Sequence, residues 1–478
     1  MFRIPPRLLR TFGLMVLLTV VPLSLVVAGP RAKKKAPADP ETWAQQASER
    51  LMGAALQSPR GWKLLEELCD TIGARLSGSV ELEQAVTWGG EKLAALPGVR
   101  VEEQEVMVPH WIRGQESLFL TTPPQRELAM LGLGMSVGTA EEGVEAALVV
   151  VSSFDELDAL GRAGVEGKIV LYDVPFTTYG ATVQYRVRGP DAAARLGAVA
   201  ALVRSVTPSS LNTPHTGTTR YIDGDGRIPA AAITVEDSET LHRLVDRGEE
   251  VRLRLTMEAR QEEDARSANV IAELKGRELP DEVVLVSCHL DSWDVGQGAQ
   301  DDGAGCVMAM ETIRLISELD YRPRRSVRAV LYTNEENGVV GGATYAQERK
   351  QPHVAVIEAD VGCGPARGWR LDLAADDREV SEAEFRAAEA RMAPIQEALQ
   401  GLKADGLRRG FAGADIKDLV RQGSLGLGLD MDTSGYWPIH HTDADTLDKI
   451  DPIVLRRNTA VMAVTAFLLA EAEPPQTR

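Results

Sequence analysis

The apolar positions change their spacing along the chain, and each change predicts a different kind of element. From Pro40 to about Leu96, Trp43, Ala47 and Leu51, then Leu64, Leu65 and Leu68, recur at helical intervals, with a turn at Gly78 between helices. A strand pair is expected next, through Val99–Pro109 and Ser117–Thr121. From Leu128 to Met257 short runs alternate with turns: Ala147–Val151, Lys168–Tyr172, Ala198–Val203 and Ala230–Val235, with one helix expected around Asp191–Leu196. That texture predicts a smaller β-rich unit inserted between two parts of another.

From Asn269 the pattern becomes strand, helix, strand. Val283–Ser287 predicts a buried strand, and Cys306–Leu319 a helix with Val307, Met310, Ile313 and Ile316 inward. Val327–Thr333, Val354–Ala359 and Leu425–Leu429 predict further strands. Glu382–Leu402 and a segment opened by Asp451 and Pro452 predict helices. The fold class is therefore α/β, a mixed sheet with helices on both faces plus a β-rich insertion. The expected division is a main α/β unit in two parts over 41–127 and 258–472, the insertion over 128–257, and a tail at 473–478.

Charge and length narrow the possibilities. The chain has 478 residues and a net charge of −18, which excludes a polyanion such as nucleic acid as partner. Arg3, Arg7 and Arg10 precede an apolar run from Phe12 to Ala28 that Pro22 interrupts and Ala28-Gly29 ends, the pattern of a secretory signal peptide over 1–28. Its removal takes away three Arg and no acid, moving the charge from −18 to −21. Residues 29–40 read as a flexible leader, no cysteine offers a lipid anchor, and a periplasmic or extracellular location without stable membrane insertion follows. Of the four cysteines, Cys288 ends a strand and Cys306 opens a helix, where a small buried apolar side chain is the simpler role.

The strands carry the chemistry at their carboxyl ends, where ligands collect in open α/β sheets. His289 and Asp291 follow the first strand, Glu335 and Glu336 the second, and Asp360 the third. Asp301-Asp302 open the intervening helix in a Gly-rich loop, and His440-His441 stand late in the chain, which has seven His in all. Each piece alone has an ordinary explanation, such as a helix cap for Asp301-Asp302 or a solvated loop for Glu335-Glu336. Together they form an acidic cluster that needs cations or raised pKa values. Nitrogen and oxygen donors without cysteine suit catalytic zinc. Asp291 is expected to orient the His289 ring, and a carboxylate such as Asp301 could join two ions. One of Glu335 and Glu336 could ligate while the other accepts a proton from water.

The stretch His289-Leu290-Asp291-Ser292-Trp293-Asp294-Val295-Gly296-Gln297-Gly298-Ala299 resembles the M28 family of co-catalytic zinc peptidases, in particular its carboxypeptidase Q branch. Asp70-Thr71-Ile72-Gly73, Pro109-His110-Trp111 and Pro214-His215-Thr216-Gly217 extend the resemblance from about Glu41 to the closing helix. It implies a secreted di-zinc exopeptidase acting on short peptides, particularly dipeptides with free ends, as a homodimer. It implies one zinc on His289 and Asp360, a second on Glu336 and His441, Asp301 bridging, Glu335 as general base, and His440 as neighbour of the ligand. The 128–257 insertion resembles a protease-associated domain. One departure is Gly413-Ala414-Asp415, where the family often has Gly-Thr-Asp before an aromatic residue. His215, Tyr436 and His440, and with them Arg113, are candidates for substrate contact or for structural roles. A broad aminopeptidase and a non-catalytic binding protein on the same fold are the competing readings; a single-zinc acyl transferase would not need both His289 and Asp360.

Overall fold

The computed structural model describes residues 39–222, 226–374 and 378–473. The signal peptide read over 1–28 and most of the leader lie outside these residues, as does the end of the tail. Two eight-stranded sheets dominate. The first runs in the order Arg100–Val108, Ala265–Leu274, Arg325–Tyr332, Leu279–His289, His353–Glu358, Leu425–Met431, Ala366–Asp372, Gly406–Arg409. Its centre is parallel, because Leu279–His289 pairs in that sense with both Arg325–Tyr332 and His353–Glu358. Antiparallel strands flank it. A central parallel strand is covered on both faces, which is why these strands read as unbroken apolar runs.

Both faces are covered by helices. On one, Ala304–Ser317 and Pro452–Glu471 pack with the N-terminal helices in a core that includes Leu51, Leu65, Leu68, Val307, Met310 and Phe467. Pro452–Glu471 is apolar and long enough to cross a membrane but is mostly buried here, so its composition is that of a core helix. On the other face Val340–Glu348 and Lys417–Arg421 place Tyr345, Ala346, Leu419 and Val420 against Ile271, Leu285 and Val356. Cys288 and Cys306 are joined by a disulfide, so the strand before the site and the helix after it are tied covalently. The apolar role expected for this pair is corrected. Periodicity reports burial, which a disulfide and an apolar thiol share. Cys69 and Cys363 are free and buried.

The second sheet holds four parallel strands in the order Val144–Val151, Ile169–Tyr172, Ala200–Arg204, Ala230–Ile233. It also takes in Glu116–Leu120 and Arg126–Leu128, which begin before position 128. Three helices accompany it, Phe154–Val165, Tyr179–Arg195 and Val235–Asp246, where the sequence pattern predicted one. Glycine and proline hid them: Gly161 lies at φ 54° inside the first, and Gly180, Gly189 and Pro190 interrupt the second. The capping residues Ser153, Thr178 and Thr234, each accepting a backbone N–H three residues on, were the available signal.

The expected hairpin of Val99–Pro109 with Ser117–Thr121 does not form. Arg100–Val108 pairs with Ala265–Leu274, and Glu116–Leu120 belongs to the other sheet. The chain therefore crosses between sheets twice, and the crossings meet in a short ribbon of Trp111–Ile112 with Arg260–Gln261. Trp293, from the loop after His289, inserts beneath the second sheet; a Cβ on Gly134 would lie 2.2 Å from its ring. Only glycine lets that ring seat there.

Candidate metal centre

His289 is the last residue of its strand, and Glu335-Glu336 and Asp360 follow the ends of the two neighbours. Parallel pairing brings these ends level, so side chains far apart in sequence meet at one edge. Asp301 and Asp302 arrive on the loop that leads into Ala304–Ser317, with a cis peptide between them. Gly305 allows that helix to start against the neighbouring strand end, since a Cβ there would lie 2.2 Å from the carbonyl oxygen of Ala359. His441, at φ 60°, comes from the late turn region.

The distances divide around Asp301. Its Oδ1 lies 3.3 Å from His289 Nε2, which is also 3.4 Å from Asp360 Oδ1. Its Oδ2 lies 3.4 Å from His441 Nε2, itself 3.1 Å from Glu336 Oε2. Asp301 thus faces both groups, one oxygen to each. Tyr436 Oη donates to Asp301 Oδ2 at 3.0 Å, so its hydroxyl braces the carboxylate. His440 stacks on His441 with ring centroids 3.5 Å apart, and its Nε2 is 3.6 Å from Asp301. Asp302 turns away and accepts from the Gly305 N–H at 3.1 Å, the helix-start role.

These residues fit a metal. His289, Asp301 and Glu336 present donor atoms within 4.8 Å of one another, as do Asp301, His440 and His441. His289 Nε2 and Glu336 Oε1 are buried and lack a hydrogen-bond partner, a costly arrangement that a cation relieves. Burial works against a charged His289, but the Asp301 and Asp360 carboxylates outweigh it and lift its pKa well above the ordinary value. Burial likewise opposes His441, yet Glu336 and Asp301 raise it to about 10. Burial and then Asp301 push Glu336 up to about 7, and burial with neighbouring acids pushes Glu335 well above its usual range. Such mutual dependence is what divalent cations remove.

The support of the site differs from the expectation in three places. The Asp291 carboxylate does not hold the His289 ring: its Oδ1 is 3.9 Å from Nδ1, which is instead 3.0 Å from the Asp291 backbone oxygen. The carboxylate accepts the N–H groups of Glu335 at 3.0 Å and Glu336 at 3.2 Å, fixing the acidic pair. His215, expected across the cleft, is 1% exposed and is not part of the cleft wall; burial, with His441 nearby, lowers its pKa to about 3. Arg113 also leaves the site, pairing with Asp294 at 2.8 Å.

Several supporting residues carry no motif. Arg75, fully buried, donates to the backbone oxygens of Gly73, Leu290, Gln297 and Gly298, shaping the loop between His289 and Asp301. The Asp445 carboxylate accepts the N–H groups of Gln300 at 2.7 Å and Asp301 at 3.1 Å. Thr216, from the second sheet's segment, exchanges hydrogen bonds with His441: its N–H donates to the His441 oxygen at 3.1 Å, and its own oxygen accepts from Nδ1 at 3.2 Å. Once the ring is neutral, that bond leaves the lone pair on Nε2. The cleft above is about 460 Å³, with Glu335, Asp360 and His441 on its floor and Tyr179, Arg186 and Trp437 on its wall. A larger cavity, about 700 Å³, opens at the opposite strand ends beside Arg325 and Val354 and gathers no such cluster.

Residues 269–466, which contain His289, Asp301, Glu335, Glu336, Asp360 and His441, match the sequence profile of Peptidase family M28. The chain is 40% identical over 417 residues to carboxypeptidase Q of Bos taurus, covering 87% of this chain and 86% of that protein. The chain belongs to peptidase family M28. Among solved structures, this M28 metallopeptidase superposes on a peptidase M28 precursor from Shewanella amazonensis SB2B with a TM-score of 0.84 and 34% identity, covering 91% of this chain and 98% of that one. An aminopeptidase from Aneurinibacillus sp. strain AM-1 shares the fold, at a TM-score of 0.61, 21% identity and coverages of 88% and 96%. The M28 fold thus accounts for the mixed sheet and for the placement of the acidic edge.

Proposed function

We propose that this M28 chain is a zinc exopeptidase that hydrolyses short peptides, preferentially dipeptides with free termini. The observation that carries the reading is the division of donors around Asp301, with His289 and Asp360 on one side and Glu336 and His441 on the other. Two zinc ions would be held by these five residues. When bound, zinc supplies Lewis acidity and makes water a nucleophile near neutral pH.

The protein's own residues do the rest. Glu335, adjacent to ligand Glu336 but turned to the cleft, takes the proton of the attacking water and returns it to the leaving amine. Burial and its acidic neighbours raise its pKa, and neutralising those neighbours would lower it toward that of a base. Asp291 holds its backbone in place. His440, which burial and His441 drive well below its ordinary pKa, is neutral and packs against the ligand.

We read the second-sheet unit, 128–257 by sequence texture but starting near Glu116 in the fold, as a protease-associated-like cap over the cleft, the chain as exported by its 1–28 segment, and the active form as a homodimer. Light scattering tests the last. The decisive experiment is Glu335→Ala. It is expected to retain zinc and lose about 10²- to 10⁴-fold in kcat. Near-normal activity at equal zinc content would sink the assignment. A dipeptide panel against N-blocked and C-blocked versions separates a dipeptidase from a broad aminopeptidase, which would accept C-blocked and longer peptides.

A further inference from the structure

Between Cys288 and Cys306 the chain carries four aspartates, Asp301 and Asp302 among them, and four glycines, but no lysine or arginine. Like charges on a glycine-rich segment drive it open, and this segment holds two of the five proposed zinc ligands, His289 and Asp301. Its ends stand on different elements. Cys288 lies in the strand Leu279–His289, one residue before a ligand, and Cys306 lies in the first turn of the helix Ala304–Ser317. Both cysteines are fully buried, and the disulfide between them closes a separation of 18 positions with the Cα atoms 5.1 Å apart.

The non-covalent hold at this point is small. The helix opens on Ala304-Gly305, which bring little apolar area to the strand end, and its larger inward residues begin only at Val307. Arg75 and Asp445 grip the middle of the loop through its backbone, at Gly298, Gln300 and Asp301. The bridge is what shuts its two ends. It also reaches the ligands closely: Cys306 Sγ is 3.1 Å from the His289 backbone oxygen, and His289 Nε2 is 3.3 Å from Asp301 Oδ1. A shift of the helix start against the strand is therefore felt directly between two donors.

Resting on the zinc exopeptidase reading, we propose that Cys288 and Cys306 are positioning residues whose oxidation assembles the metal centre. Bridged, they hold His289 and Asp301 together against the repulsion within the loop. As thiols, they leave the chain folded with a weaker hold on zinc. The step is thiol–disulfide exchange with the disulfide of an oxidoreductase. One cysteine thiolate attacks that disulfide and expels one thiolate; the other cysteine then attacks the mixed disulfide and expels the second. Two electrons pass to the oxidoreductase, and the two cysteine protons end on its thiols. Such exchange belongs to oxidising compartments. A chain not yet exported is therefore a weak zinc binder, which keeps the peptidase idle among the cell's own peptides.

The test compares oxidised wild type, wild type produced and kept under a phosphine, and the double variant Cys288→Ala/Cys306→Ala. Thiol titration in denaturant should count two per oxidised chain, Cys69 and Cys363, and four per reduced chain. Zinc affinity, read by chelator competition, is expected to fall roughly 10- to 100-fold in the reduced protein and in the double variant, the scale of a lost supporting interaction around a metal. The kcat per bound zinc and the circular dichroism should stay unchanged. Phosphine should not alter zinc affinity in the double variant; an effect there assigns the sensitivity to another thiol and overturns the proposal. Four thiols in the oxidised protein also overturn it. So does a lower Tm with zinc affinity unaltered, because the bridge would then only staple the fold. Should the double variant fail to fold, reduced wild type, which lacks only the bond, decides by the same criterion. If oxidised wild type binds zinc and reduction changes nothing, this proposal fails alone. If it binds no zinc, the exopeptidase reading falls and takes this with it.

Discussion

Asp291 stands beside His289 as the sequence requires, but its carboxylate faces elsewhere than the motif suggests. A His-x-Asp beside a metal site suggests a carboxylate behind the ring, yet only coordinates reveal that the backbone oxygen faces His289 while the carboxylate faces the Glu335 and Glu336 N–H groups. Asp291→Ala should therefore reduce kcat per bound zinc by about 10- to 100-fold, the usual scale for a residue that orients others. If instead zinc is lost and kcat per remaining zinc is normal, the carboxylate serves the ring after all. His289, Asp301, Glu335, Glu336, Asp360 and His441 were legible because each combines a reactive type with a strand end or turn. Arg75 was not, since arginines are plentiful and only burial without a carboxylate singles this one out.

At the level of elements, long apolar runs were readable and their partners were not. Leu279–His289 and Arg325–Tyr332 announced themselves by composition, whereas Arg100–Val108 found its partner far along the chain, a pairing that no local period encodes. The helix Ala304–Ser317 starts in direct contact with a strand end through Gly305. Gly305→Ala should cost about 1–3 kcal/mol by overpacking and weaken zinc binding, because Asp301 moves with the helix start; thermal melts with and without zinc measure both. On the far face, the His353 imidazole accepts from Tyr345 Oη at 2.9 Å, and burial, with Arg328 adding to it, lowers its pKa to about 4. Between that value and the unfolded value near 6.5 the unfolded chain binds the extra proton. Stability is therefore lost as pH falls through this window, by on the order of 3 kcal/mol from this residue. His353→Gln should flatten the dependence in denaturant titrations between pH 6.5 and 4; an unaltered slope would contradict it.

The whole molecule couples metal, charge and architecture. Without cations His289 and His441 hold protons, and Glu335 and Glu336 are raised toward the protonated form. Zinc uptake at pH 7 should therefore release more than about one proton per chain. Calorimetry in two buffers of different ionisation enthalpy counts them, and no difference between buffers would contradict the charge assignment. The existence of a second unit was legible from texture. Its helices and its start near Glu116 were not, because glycine-rich helices look like loops and the crossing ribbon is only two residues wide on each side.

The mutual hydrogen bonds of Thr216 and His441 join the two sheets at a proposed ligand. Coupled equilibria are reciprocal. Whatever factor the clasp adds to zinc affinity, zinc must return to the clasp. Chelation is then also a mechanical act, which slackens the grip of one half of the chain on the other, and parting the halves is a way of letting the metal go.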